Sequence, residues 1–194
     1  MPRYAYAAAA GLVLIAVIVA AIMMWPKGFE PMTLDESFEA GLTDWIIGAD
    51  LPEDPNNPGN PVAYSITQSS LRRHAGEHSA EFSIDGLQDD GTIWLMRSVQ
   101  VPGGASKIDL EFQLYSDTES FNTIAVVVGY VGPDKPILEE DMVDLGPANQ
   151  AAGWKLYSHS VDAEQGETWI AFGVSVRWET QMTYWVDSVK IAVR

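Results

Sequence analysis

The sequence predicts an all-β protein, a single antiparallel β-sandwich preceded by one N-terminal transmembrane helix. Three observations carry that prediction. Residues 4–25 form an uncharged apolar run. The chain beyond them alternates apolar and polar residues with period two, between Gly/Pro turns. No later segment sustains the i, i+3, i+4, i+7 apolar spacing of a helix.

The apolar run comes first. From Tyr4 to Trp25 there is no charge, and the composition is rich in Ala, Leu, Ile and Met. At about 1.5 Å per residue it reaches roughly 30 Å, the thickness of a bilayer core. Tyr4 and Tyr6 lie at one end and Trp25 at the other, where aromatic belts belong. Pro26 stops the helix. A cleaved signal peptide and a retained anchor compete. Signal cores usually span about 7–15 residues and end in small residues. This run is longer and ends in Met23, Met24 and Trp25, with Ala20–Ala21 as the only small pair near its end. Retention is favoured. Arg3 and the terminal amine favour an inside N-terminus, and Lys27 opposes them. The expectation is a single-pass cell-membrane protein, held through residues 4–25, with its β domain extracytoplasmic. The division is 1–25 for the anchor or signal segment, 26–34 for a short Pro/Gly linker and 35–194 for the sandwich.

Composition bounds the rest. The chain has 194 residues, 47% of them hydrophobic, with seven tryptophans, which excludes a disordered chain. About 165 residues follow the apolar run, enough for one domain with a core. Residues 1–27 hold Arg3 and Lys27 and no acid, which leaves 9 Lys+Arg against 27 Asp+Glu beyond them, a net of -18. A domain this acidic repels phosphate backbones, so nucleic acid is not an expected partner. With no cysteine there are no disulfides, thiolate metal sites or cysteine nucleophiles.

Strands are expected at Ser79–Asp85, Thr92–Val101, Lys107–Ser116, Thr123–Val131, Lys155–Val161, Thr168–Trp178 and Tyr184–Val193. Thr123–Val131 is apolar on both faces, as for a strand buried between layers. Many short strands with Gly/Pro turns describe a sandwich or jelly roll. Residues 50–61 (DLPEDPNNPGNP) form an irregular loop, either functional or a surface insertion. In the last strand Trp185, Asp187, Val189, Ile191 and Val193 share a parity, which turns Asp187 toward the core with them. A buried carboxylate needs partners, either a hydroxyl or N–H network or a calcium ion.

A resemblance bears on that choice. The opening Ser37-Phe38-Glu39-Ala40-Gly41-Leu42-Thr43-Asp44-Trp45, the middle Ala75-Gly76-Glu77-His78-Ser79-Ala80 and the closing Tyr184-Trp185-Val186-Asp187-Ser188-Val189-Lys190-Ile191 come in order. Together they resemble the motifs of carbohydrate-binding modules with the galactose-binding-like jelly-roll fold. The resemblance implies that first and last strands lie side by side. It also implies that Glu39 and Asp187 meet at a structural Ca2+. Ser188 departs from the pattern, since many relatives carry a second aspartate there, and this lowers the charge available to a metal.

No arrangement of catalytic residues stands out. Only three histidines occur, and neither G-x-S-x-G nor H-E-x-x-H is present. The chain is not expected to be an enzyme. A binding module needs aromatic platforms on a sheet face. Trp94, Gln113, Tyr115 and Arg177 all lie opposite in parity to core positions and would make an amphipathic, sugar-sized patch. The competing reading packs these aromatics under a loop or a second layer. The expected function is non-catalytic recognition of carbohydrate at the cell surface. The alternative is an envelope structural or interaction domain that binds a cell-envelope protein and has no sugar site.

Overall fold

In the computed structural model, residues 29–194 are described. Their eleven strands are β1 (Met32–Glu36), β2 (Ile46–Asp50), β3 (Tyr64–Ser69), β4 (Ser79–Ile84), β5 (Thr92–Val101), β6 (Lys107–Ser116), β7 (Ala125–Gly132), β8 (Val143–Pro147), β9 (Gly153–Asp162), β10 (Gly166–Val176) and β11 (Met182–Val193). One 3-10 turn, Glu139–Asp141, is the only helical element among the described residues. The predicted transmembrane helix falls on residues outside this set. No described helix is long and apolar enough to cross a membrane.

The strands form two sheets. Sheet A runs β3-β4-β11-β6-β9, and β1 also pairs with β11. Sheet B runs β2-β5-β10-β7-β8. Every pairing is antiparallel. β4 and β1 share one edge of β11 end to end, at Met182–Val186 and Val189–Val193. First and last strands therefore lie side by side. β1 also starts inside the segment expected to be linker.

Alternation explains the layers. On β6, Ile108, Leu110, Phe112 and Leu114 are buried, while Asp109, Gln113 and Tyr115 between them are half-buried and Glu111 is exposed. The inner faces of both sheets close on one core. Phe172 sits near its centre, with Trp45 at 5.0 Å, Phe112 at 5.1 Å and Phe82 at 6.4 Å between ring centroids. Aromatic rings tilted or edge-on at such spacings add to the gain from burial.

One irregularity decides where Asp187 points. Asp187 pairs with Gln113, but the next registered pair is Lys190 with Glu111, so β11 carries one residue more than β6. This is a β-bulge, and Ser188 within it has φ 52°. An extra residue reverses side-chain parity along a strand. Met182, Tyr184 and Val186 face the core before the bulge, and Val189, Ile191 and Val193 after it. Asp187 and Trp185 consequently face outward from sheet A. The inward Asp187 expected from unbroken parity is corrected by this bulge.

Candidate functional site

The four residues expected to make one patch lie on two opposite faces. Gln113 and Tyr115 are on the outer face of sheet A, and Trp94 is on the outer face of sheet B. Arg177 follows β10 and bonds to groups on that same face of sheet B.

On sheet B the aromatic residues are covered. Trp94 is 1% exposed and clusters with Met96 and Ala171, against Tyr130, Met142 and Trp169. It pairs across the sheet with Gly48 and Gly173. A Cβ on Gly48 would come within 2.3 Å of the indole, so only glycine leaves the ring room there. The segment 133–142, between β7 and β8, crosses this face as a strap. Lys135 Nζ lies 5.4 Å from the Trp169 ring centroid, and Met142 packs on the cluster. Between them Glu139 accepts a bond from the Thr92 hydroxyl at 2.6 Å and pairs with Arg177 at 3.0 Å. Its N–H donates to Asp50 at 2.9 Å. The Trp94 Nε1–H is buried beneath without an acceptor. Trp94 is therefore packed under a loop, the second of the two readings its parity allowed.

On sheet A the register builds a row. Trp154 on β9 pairs with Tyr115 on β6, Tyr115 with Trp185 on β11, and Trp185 with Glu81 on β4. Tyr115 stands edge-on to both neighbours, 5.2 Å from Trp154 and 6.0 Å from Trp185. Trp185 Nε1–H donates to Glu81 at 2.9 Å. The segment 70–78, between β3 and β4, rims the row. It places the Arg72 guanidinium 5.3 Å from the Tyr115 ring centroid and 5.5 Å from that of Trp185. It also sets exposed His74 edge-on to Trp154 at 5.5 Å. Asp117 takes Arg72 Nε and Nη2 at 3.0 and 2.8 Å. That carboxylate raises the guanidinium's affinity for its proton above an already high ordinary value. Trp154 and Tyr115 keep part of their surface, and Leu156 beside them is 56% exposed. One step along the strands a groove of about 420 Å³ opens, lined by Gln113, Leu156, Ala75, Ser188 and Lys190.

Of the four residues expected from the sequence, Tyr115 lies in this row and Gln113 beside it; Trp154, Trp185, Arg72 and His74 were not among them. Trp154 lay just outside an expected strand, and Trp185 was counted with the core valines. Their alternation with buried neighbours Val186 and Tyr157 was the available signal.

Glu39 and Asp187 meet the same loop at neighbouring positions. Asp187 is fully buried, with Oδ2 accepting the N–H groups of His74 and Ala75 at 2.7 and 2.9 Å. Its Oδ1 accepts the Ser188 N–H at 2.5 Å. Glu39 Oε1 accepts the N–H groups of Glu77 and His78, both at 2.9 Å. These donors hold the Glu39 carboxyl below its ordinary range. Gln68 Nε2 donates to the carbonyls of Phe38 at 2.6 Å and Glu39 at 3.3 Å. This donor set fits calcium poorly. The ion takes six to eight oxygen ligands, yet backbone N–H groups already occupy both Asp187 oxygens and Glu39 Oε1, which leaves Glu39 Oε2, 3.3 Å from His78 Nδ1. Among the described residues no three acidic or histidine side chains group closely enough to hold a metal.

These features define the class: an all-β, two-sheet antiparallel sandwich of the jelly-roll type, with an aromatic row on one face. Comparisons of structure agree. The fold is similar to the carbohydrate-binding module TmCBM61 in complex with β-1,4-galactotriose, at TM-score 0.50 and 16% identity, covering 80% of this chain and 92% of that one. It is similar to a carbohydrate-binding module from the β-sandwich superfamily described as promiscuous in specificity, at TM-score 0.53 and 16% identity, covering 84% and 62%. It is also similar to the K3 cleaved adhesin domain of Lys-gingipain from Porphyromonas gingivalis, at TM-score 0.51 and 18% identity, covering 81% and 97%. At such identities the likeness is one of fold. No protein-family model and no curated protein matches the sequence.

Proposed function

We propose that this chain is a non-catalytic carbohydrate-recognition domain whose sugar site is the outer face of sheet A. The observation that carries this reading is the row Trp154–Tyr115–Trp185 with Arg72 and His74 on its rim. Sugar rings present apolar C–H faces that pack on aromatic rings, and hydroxyls that need fixed polar partners. Trp154 offers a partly exposed ring, and Leu156 extends the apolar floor. Gln113, Ser188 and Lys190 supply donors and acceptors along the adjoining groove, and His74 stands beside Trp154 at the rim. Carbohydrate ligands of modules with the same fold support the reading by analogy. The apolar segment 4–25 would hold the domain outside the cell membrane.

A glycan array with the full-length protein tests the function, and the variant Trp154→Ala tests the site. Reproducible hits that disappear in the variant are expected. A blank array would reject the sugar reading. It would favour a protein-interaction domain, for which Ile46 and Ile47 on edge strand β2, each 45% exposed, are the motivating surface.

A further inference from the structure

We infer that Glu39 and Asp187 form a metal-free clasp that fixes the segment 70–78, and with it Arg72 and His74, against sheet A. Two carboxylates and four consecutive-pair amides make the contact: Asp187 takes His74 and Ala75, and Glu39 takes Glu77 and His78. The N–H dipoles supply the positive charge that a cation would otherwise supply. Hydrogen bonds to ionised acceptors are roughly twice as strong as neutral ones, and Asp187 is wholly shielded from water.

The surrounding backbone is shaped for this contact. Among the described residues only Phe38 (φ 60°) and Ser188 (φ 52°) are non-glycine residues in the left-handed region. One directly precedes Glu39 and the other directly follows Asp187. Such conformations are strained for residues with a Cβ and persist where surrounding structure compels them. Between the two amide pairs lies Gly76 at φ 64°, where a Cβ would fall 2.3 Å from Glu39 Oε1. Only glycine admits the carboxylate there. Ser79 Oγ–H donates to the Arg72 carbonyl at 2.5 Å and ties the segment to β4. A calcium ion would have to displace these N–H donors before it could reach the same oxygens.

Glu39 and Asp187 are thus positioning residues for the rim of the aromatic row. The functional half of this inference rests on the proposed sugar site, whereas the clasp itself does not. Its test therefore uses no sugar. Thermal unfolding and amide hydrogen exchange of the full-length protein are measured with excess EDTA and across a calcium titration. The expected result is a melting temperature and a loop exchange pattern that neither agent changes. In Asp187→Asn, exchange at His74 and Ala75 should rise about tenfold, with the amides of β5 and β10 unchanged. In Glu39→Gln the same should hold for Glu77 and His78. A saturable calcium-induced rise in melting temperature that Asp187→Asn abolishes would overturn the clasp. So would variants that leave all four amides protected. If a variant does not fold, the wild-type titration decides alone.

Discussion

The two outer faces of the sandwich begin alike and end differently. Both carry tryptophan at outward positions of a central strand pair, Trp94 on β5 and Trp185 on β11. On sheet B the strap 133–142 crosses the face and Glu139 ties it down, so Trp94 becomes part of a second small core. On sheet A the segment 70–78 covers only part of the face: Arg72 lies over Trp185, which is 5% exposed, while Trp154, Tyr115 and Leu156 keep contact with water. Outward parity says only that a residue leaves the main core. Whether it meets solvent or another layer depends on the loop above it.

Substitutions sharpen that contrast. Trp94→Ala removes a large buried side chain and should cost about 3–5 kcal/mol, read by chemical denaturation. A loss under about 1 kcal/mol would mean that the strap does not cover this face. Trp154→Ala should do the reverse, weakening glycan binding about tenfold or more with a stability change within about 1 kcal/mol. Titration calorimetry and a melting curve on the same sample separate the two effects. Glu139→Gln keeps the shape of the strap but loses the charge facing Arg177. It should cost about 1 kcal/mol and raise amide exchange in 133–142 while leaving 70–78 protected.

The smallest effect is on acidity. The folded-state pKa of Glu39 is depressed from its ordinary 4.5 by the amides of His78 and Glu77. Its contribution is therefore complete above pH 4.5 and is lost as pH falls through the lower, folded-state value. Amide exchange at Glu77 and His78, corrected for its intrinsic pH dependence, should rise on acidification below that point. The strap amides serve as the internal control. Equal loosening of both segments would show global unfolding and no specific role for Glu39.

Much of the frame was legible in the sequence. β5 and β6 run over the same residues that alternation assigned to them, because each is ten residues long and buries one apolar face, interrupted in β5 only by half-buried Arg97. The double-sided apolar stretch in β7 was legible for the same reason, and Ala125 to Gly129 are buried on both sides. β1, β2, β3 and β8 were not resolved as strands. They are five or six residues long, and apart from Ile66 their side chains are exposed or half-buried. Their pairing comes from backbone bonds to longer strands, which leave little mark on side-chain pattern. The bulge at Ser188 was illegible for another reason. Serine has no intrinsic preference for φ 52°, and the conformation arises where β11 passes from β4 to β1 and Asp187 reaches the loop.

By itself, the sequence determined the all-β class, the two-layer arrangement and the central strands. Hydrophobic burial is a local property of alternating residues and dominates folding energy. The resemblance carried by the opening and closing motifs implied a jelly-roll order with first and last strands adjacent, and β1 does pair with β11. Only the tertiary structure decided which outward residues meet. Trp154, Tyr115 and Trp185 are far apart in the chain and become neighbours through strand register. Only the tertiary structure showed that Glu39 and Asp187 grip backbone amides, because those donors belong to a loop that the chain brings back from residues 74–78. A carboxylate's chemistry is written in its residue type, but its partner is set by folding.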